Sequence, residues 1–263
     1  MFYIHGMKLK GRAMPQLRNV TFVGAGPGAA AHLTLGAYAA LQAADVVIHD
    51  RLVGPEVLAL IPAHVVRIDV GKVGFGPSTP QSTIDAVLVA QAQTWAQVVR
   101  LKGGDCGIFG RLDEEILALE AADIGYSILP GLTSATVAAA AIGQPLTQRG
   151  RNTALRIVTG HDMVGFADHD WAGIARAGAV TAIYMGKKSA RYIQGRLMMH
   201  GAAGDLAVTV VANISHTDQQ IFAASLGSLP AVVAQANGPA VLLVGLAPRA
   251  AAHTIPQLQE AQA

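Results

Sequence analysis

Short runs of branched apolar residues recur along this chain with stretches of helical composition between them, and that alternation limits the folds open to it. Residues 20–23, 45–48, 65–70, 97–101 and 127–129 read as strands, and residues 33–44, 84–93 and 114–122 as helices. A β–α–β order predicts parallel pairing in an α/β sheet, with ligand sites at the C-terminal ends of the strands. The pattern returns at residues 154–159, 179–185, 207–212 and 240–244, with 189–200 as the clearest helix, which predicts a second α/β layer. Pro145-Leu146-Thr147-Gln148-Arg149-Gly150, rich in breakers and charge, is the best place for a link between the two. The expected division is an extension (1–18), two α/β domains (19–146 and 147–250) and a tail (251–263).

Two strand exits are glycine-rich: Val23-Gly24-Ala25-Gly26-Pro27-Gly28 and Arg100-Leu101-Lys102-Gly103-Gly104-Asp105. Glycines there let the backbone adopt positive φ and come close to a bound molecule, and Asp105 adds a fixed acceptor. The second segment, from Arg100 onward, reads as a ligand loop rather than a core element. The first fits either a nucleotide-like cofactor or a tight βα turn. Its third glycine comes too early for the dinucleotide fingerprint, and Pro27 removes a donor that a pyrophosphate would use, so a phosphate-free cofactor such as S-adenosylmethionine suits it better.

Composition narrows the class. With 52% hydrophobic residues and 14% charged ones, the chain reads as a globular enzyme rather than a disordered segment. A net charge of +2 and the lack of a basic run interleaved with aromatics predict no nucleic-acid partner. The single cysteine, Cys106, and nine scattered histidines predict no disulfide and no metal site, and point to a reducing cytoplasm. Alanine-rich tracts such as residues 135–142 fall well short of the ~20 apolar residues that span a bilayer.

Several side chains stand at expected strand ends. Asp50-Arg51 follows one, as a cleft pair or as a helix cap beside a solvated arginine. Gly71-Lys72 repeats the placement, where a solvated lysine is the plainer reading. Arg149, Arg151 and Arg156 cluster at the link, suited to bidentate carboxylate binding or to a basic hinge. Met185 ends a strand, either as core packing or as a ligand contact. Cys106 reads as a small loop residue, not a nucleophile.

Taken in order, these segments resemble the tetrapyrrole methylase family: Val-Gly-Ala-Gly-Pro-Gly at 23–28, Asp50-Arg51-Leu52-Val53, Gly71-Lys72, Arg100 to Asp105, Pro130-Gly131-Leu132-Thr133-Ser134, Pro145 to Gly150, Thr159-Gly160-His161, Tyr184-Met185-Gly186 and Gly238-Pro239-Ala240. The likeness covers about residues 20–246. The Asp-Arg-Leu-Val and Leu-Thr-x-Arg-Gly segments look like those of members that act on uroporphyrinogen III. The resemblance implies two α/β domains with a deep interdomain cleft, a homodimer, and methyl transfer from S-adenosylmethionine to carbons 2 and 7 of uroporphyrinogen III. It implies cofactor contacts at Pro27, Gly103, Gly104, Asp105, Ile108, Thr133, Ser134 and Met185, and at backbone near Ile214 and Ala240. It also implies Asp50 as proton acceptor, Lys72 as proton donor, and Arg51, Arg149 and Arg151 beside the substrate.

The chain departs from the family pattern where Cys106-Gly107 replaces Pro-Phe, Leu112-Asp113 replaces Gly-Gly, Gln148 replaces His, and Ala212-Asn213-Ile214 replaces Glu-Asn-Gly. Loss of the proline is expected to free the loop, and Ile214 to put a side chain where glycine permits close approach. Two other readings stay open on sequence: a methylase of a later corrin precursor, and a non-catalytic cofactor-sensing module on the same fold. No segment resembles the extra domain of a fused sirohaem synthase, so dehydrogenation and iron insertion are expected elsewhere.

Overall fold

The structure, a computed structural model, describes residues 19–71 and 79–249. The expected extension, tail and Lys72 lie outside the described residues. The first half runs β1 (Asn19–Gly24), a 3-10 turn (Ala30–His32), α1 (Leu35–Ala43), β2 (Val46–His49), α2 (Pro55–Ala59), β3 (Val66–Asp69), α3 (Gln81–Thr94), β4 (Gln97–Lys102), α4 (Leu112–Ala121), β5 (Gly125–Leu129) and α5 (Ser134–Ala141). Its five strands form one parallel sheet in the order β3-β2-β4-β1-β5. Alternate residues of the central strands feed opposite cores. Phe22, Ile48 and Val98 pack with Leu88 of α3, while Val23, Val47 and Leu101 pack with Leu41 of α1. Helix starts follow local chemistry: the Thr34 side chain accepts from the Ala37 N–H at α1, and Pro55 opens α2 where its missing N–H costs nothing.

The second half runs β6 (Leu155–Thr159), α6 (Trp171–Ala175), β7 (Val180–Tyr184), α7 (Ala190–Met199), β8 (Ala207–Ala212), β9 (Gln220–Ser225), α8 (Leu229–Val233) and β10 (Ala240–Val244). Its sheet, in the order β6-β7-β10-β8-β9, is mixed, not another parallel layer: only β6 and β7 pair parallel. The β8–β9 connection explains part of this. It is a short loop without a helix, which permits an antiparallel return, whereas a parallel partner needs a crossover of about a dozen residues or more. β10 then inserts between β7 and β8, antiparallel to both.

The alanine-rich tract near residue 135 is α5, and it packs on the second sheet. Ala135, Val137, Ala138 and Ile142 share a buried cluster with Val180, Ala182, Val211, Val241 and Leu243. Among the described residues no helix is long and apolar enough to cross a membrane.

Candidate functional site

Three adjacent exits of the parallel sheet cross one another backbone to backbone. The Ala25 N–H donates to the Lys102 carbonyl at 2.8 Å, and Gly26 and Gly104 exchange N–H···O bonds of 3.1 and 2.8 Å. The exit of β5 closes over this pair. A methyl built on Gly24 would lie 2.6 Å from the Gly131 Cα and 2.8 Å from the Gly104 carbonyl oxygen, so no other residue fits. Asp105 fastens the arrangement. Its carboxylate accepts from the Gly107 N–H at 2.8 Å and from the Gly131 N–H at 3.1 Å, tying the β4 loop to the β5 loop. Gly104, at φ +72°, faces open space: a methyl there would meet nothing nearer than the Ser134 hydroxyl at 3.9 Å.

Arg100 and Lys102 correct the expectation of a ligand loop that starts at residue 100. Both lie in β4, only 1% and 2% exposed, and they are core elements of an unusual kind. Arg100 pairs in register with Phe22 and Ile48, so its side chain enters the core beneath α3 and α4. There its Nε donates to Glu115 Oε2 at 2.9 Å, and its Nη2 to Glu115 Oε1 at 2.9 Å and to Asp50 Oδ1 at 2.6 Å. Nη1 donates to the Leu101 and Ile48 carbonyls. Lys102 Nζ completes the group by donating to Glu115 Oε1 at 2.5 Å. Burial alone would lower the pKa of Arg100, but the pull of Asp50 and Glu115 and the hydrogen bonds to both outweigh it and hold the pKa above its ordinary value. The ligand loop therefore begins at Gly103, and the charged residues before it support Asp50 from behind. Asp50 caps no helix, because α2 starts later, after Gly54.

The second sheet presents a matching edge. Because β10 runs antiparallel, its first residue, Ala240, lies at the end where β7 and β8 finish. Met185 leaves β7 at φ +54° with half of its surface exposed, so it is not core packing. Asn213 and Ser215 leave β8 at φ +47° and +69°. Ile214 between them is 6% exposed and turns its side chain into the cluster beneath α5, so only its backbone faces the edge. Glycine's place is thus taken without blocking the approach. Cys106 is likewise held, 1% exposed in the core beside Leu88 and Leu119, so the loop keeps an anchor where the family proline would stand. Burial first and Asp105 second push its thiol pKa up.

The two edges meet. Ser215 Oγ accepts from the Ala29 N–H at 2.8 Å and lies 2.7 Å from His32 Nδ1. The Tyr184 hydroxyl accepts from the Ala135 N–H at 2.8 Å, satisfying the first turn of α5, and lies 2.5 Å from Thr133 Oγ1. The ring of Phe109 packs on that of Tyr184 with centroids 5.5 Å apart. Pro27, Gly103, Gly104, Asp105, Thr133 and Ser134 therefore stand on one side of this meeting line, and Met185, Ile214 and Ala240 on the other.

Arg149 is exposed on the link, and Arg51 is exposed beside Gly71. Arg151 is spent locally, donating to Asn152 Oδ1 and to the Pro145 carbonyl. Among the described residues no group of three or more His, Cys, Asp or Glu is arranged to hold a metal ion. Glu115 was not singled out on sequence, and Tyr184 only as part of the Tyr184-Met185-Gly186 segment, with no role of its own. Glu115 is one of three acidic residues in the first turn of α4, indistinguishable from helix-dipole partners until its burial is seen. Arg111, at φ +54° ahead of that helix, forks onto Glu114 with two bonds of 2.6 Å; on sequence it is one more solvated arginine.

Comparison with known proteins adds the following. A sequence model of the Tetrapyrrole (Corrin/Porphyrin) Methylases matches residues 19–230. A uroporphyrinogen-III C-methyltransferase of Paracoccus denitrificans is 45% identical over 88% of this chain and 81% of its own. Siroheme synthase 3 of Aeromonas hydrophila is 40% identical, and the chain spans about half the length of that protein and of the other siroheme synthases it resembles. Among solved structures, uroporphyrin-III C-methyl transferase of Thermus thermophilus complexed with S-adenyl homocysteine aligns with a TM-score of 0.75 at 33% identity, over 86% of this chain and 97% of that one. A cobalt precorrin-4 methyltransferase shares the fold, with a TM-score of 0.76 at 20% identity.

Proposed function

The chain belongs to the tetrapyrrole methylase family, and on that premise we propose that it methylates carbons 2 and 7 of uroporphyrinogen III with S-adenosylmethionine, giving precorrin-2. The observation that carries the reading is the meeting of the two sheet edges: three glycine exits on one side and the exposed Met185 on the other, joined through Ser215 and Tyr184.

The residues present fit the cofactor. Space stands open over the Gly104 backbone, and Ile214, the bulky departure at the second edge, turns into the cluster beneath α5. Pro27, Gly103, Gly104, Asp105, Ile108, Thr133 and Ser134 would hold S-adenosylmethionine from one side, and Met185 with backbone at Ile214 and Ala240 from the other, across a cleft between the two sheets. When bound, the group supplies a sulfonium methyl with a neutral leaving group. The substrate carbon is an electron-rich, enamine-like nucleophile, so alignment of the two contributes most of the rate.

This chain's own residues then handle position and proton. Loss of a ring proton follows carbon attack, and Asp50, half-buried and fixed through Arg100, is the acceptor. Arg51, Arg149 and Arg151 would pair with substrate carboxylates, Arg151 only after giving up its local partners. Lys72 is the proposed donor. The same family reading supports a homodimer and a cytoplasmic location. The test is to incubate the purified protein with uroporphyrinogen III and S-adenosylmethionine and count methyl groups by mass. Two additions are expected, and none, or addition only to a later corrin precursor, overturns the reading.

A further inference from the structure

We infer that Glu115, a helix residue that faces no open space, is a positioning residue for Asp50, acting through Arg100. The inference rests on the reading of Asp50 as proton acceptor. Its grounds are the geometry of one guanidinium and the burial of its partners. Glu115 grips Arg100 with both carboxylate oxygens, which fixes the guanidinium plane. The Leu101 and Ile48 carbonyls hold the other end. What is left of Nη2 points at Asp50 Oδ1. A planar fork clamped at Nε and Nη1 cannot pivot, so Asp50 meets a donor of fixed direction.

Buried charge makes the arrangement decisive. Arg100, Lys102 and Glu115 are each no more than 2% exposed, and Asp50, its side chain 30% exposed, is the member that reaches the surface. Two cations balance two carboxylates, so the group as a whole is neutral. A salt bridge placed in a core for stability alone needs only one pair, and an apolar set of similar volume usually does as well. Lys102 gives Glu115 a second partner, while Arg100 is shared with Asp50. Other charged groups near Asp50 are His49 on β2, whose Nδ1 lies 3.4 Å from the Asp50 carbonyl, Asp69 on β3, 4.0 Å from that same nitrogen, and Arg51 on the following loop. None of these makes a recorded bond to the Asp50 carboxylate, so Arg100 is what sets its orientation among the described residues.

A double-mutant cycle tests the inference. Glu115→Gln and the charge-balanced pair Glu115→Gln/Lys102→Met are each combined with Asp50→Asn, and two quantities are read: turnover, and affinity for S-adenosylhomocysteine by calorimetry. In the native background each Glu115 variant should lower kcat ~10-fold or more, since misplacing a reacting group by an ångström costs up to ~100-fold. Affinity for S-adenosylhomocysteine should stay within about twofold, because no member of the group touches the glycine exits on their open side. In the Asp50→Asn background the same changes should cost no further turnover. Glu115→Asp, which keeps the charge and shortens the reach, guards against loss of folding and should give an intermediate kcat. Additive losses, or cofactor affinity falling in step with kcat, overturn the positioning role and leave Asp50 as acceptor. Unchanged turnover in Asp50→Asn alone overturns the acceptor reading, and the inference with it.

Discussion

Gly131→Ala probes the crossing of the three strand exits most directly. A methyl at residue 131 would lie 2.7 Å from the Gly24 carbonyl carbon and 2.8 Å from its Cα, with the Gly104 carbonyl oxygen nearer still; ordinary contact begins at 3.4 Å. All three neighbours are backbone atoms, so no side chain can swing aside. The β1 and β5 exits must part by roughly two-thirds of an ångström, and the Gly131 N–H bond to Asp105, already 3.1 Å, stretches with them. Overpacking of this kind costs ~1–3 kcal/mol, and at this chain length each kcal/mol lowers Tm by about 2–4 °C. The larger effect should fall on the cofactor, because the displaced loops are those proposed to hold it; S-adenosylhomocysteine affinity should drop at least ~10-fold by calorimetry, worth ~1.4 kcal/mol. Gly195→Ala is the control. It sits exposed inside α7 with nothing within 4 Å, so the methyl should add ~0.5–1 kcal/mol of helix stability and leave binding alone. Native affinity in Gly131→Ala, with a Tm drop no larger than the control's change, would refute the reasoning that these exits form one rigid cradle.

Asp50→Asn and Arg149→Ala should each lower methyl transfer while leaving S-adenosylhomocysteine affinity within about twofold; unchanged precorrin-2 formation in both would defeat the assigned roles. Cys106, buried and with its thiol pKa pushed up, should resist iodoacetamide at pH 8 in the native protein and react fully in denaturant, as mass spectrometry would read; rapid native labelling would contradict its burial. Burial raises the pKa of Tyr184 above its ordinary value, against the lowering effect of its bonds to Thr133 and Ala135. The native state therefore keeps this proton longer than the unfolded chain does. The stability it contributes is whole below the ordinary tyrosine range and is lost as pH rises through it. Tyr184→Phe should flatten that alkaline fall in urea unfolding, and should cost ~1–3 kcal/mol at neutral pH because the Ala135 N–H loses its partner. A wild-type slope in the variant would rule this out.

The parallel sheet was legible because its strands are short apolar runs separated by segments long enough to cross back, although the five-residue α2 between β2 and β3 left no pattern of its own. The second sheet misled because the alternation over residues 155–212 is real, but β9 is thin in large apolar residues and β10 reverses direction. Both depend on a connection length and an insertion that local pattern does not encode. The glycine exits announced themselves, since positive φ and close backbone approach demand that residue type. Arg100 and Lys102 did not, because charge beside glycine reads as solvent-facing, and the carboxylates that make their burial tolerable, Glu115 for both and Asp50 for Arg100, stand far away along the chain. Ile214 looked like an obstruction for the same reason: sequence names the residue but not which way its side chain turns.

Helix α5 comes from the first half of the chain yet completes the apolar layer over Val180, Ala182, Val211 and Leu243. Dividing the gene at the link near residue 147 would therefore not yield two soluble halves. The C-terminal piece would carry a bare greasy plate, and the N-terminal piece a detached helix with nothing to lie on. Any split reporter, domain exchange or fragment complementation with this protein has to place its junction between β5 and α5, within residues 130–133, so that the strand stays with its own sheet and the helix travels with the sheet it covers.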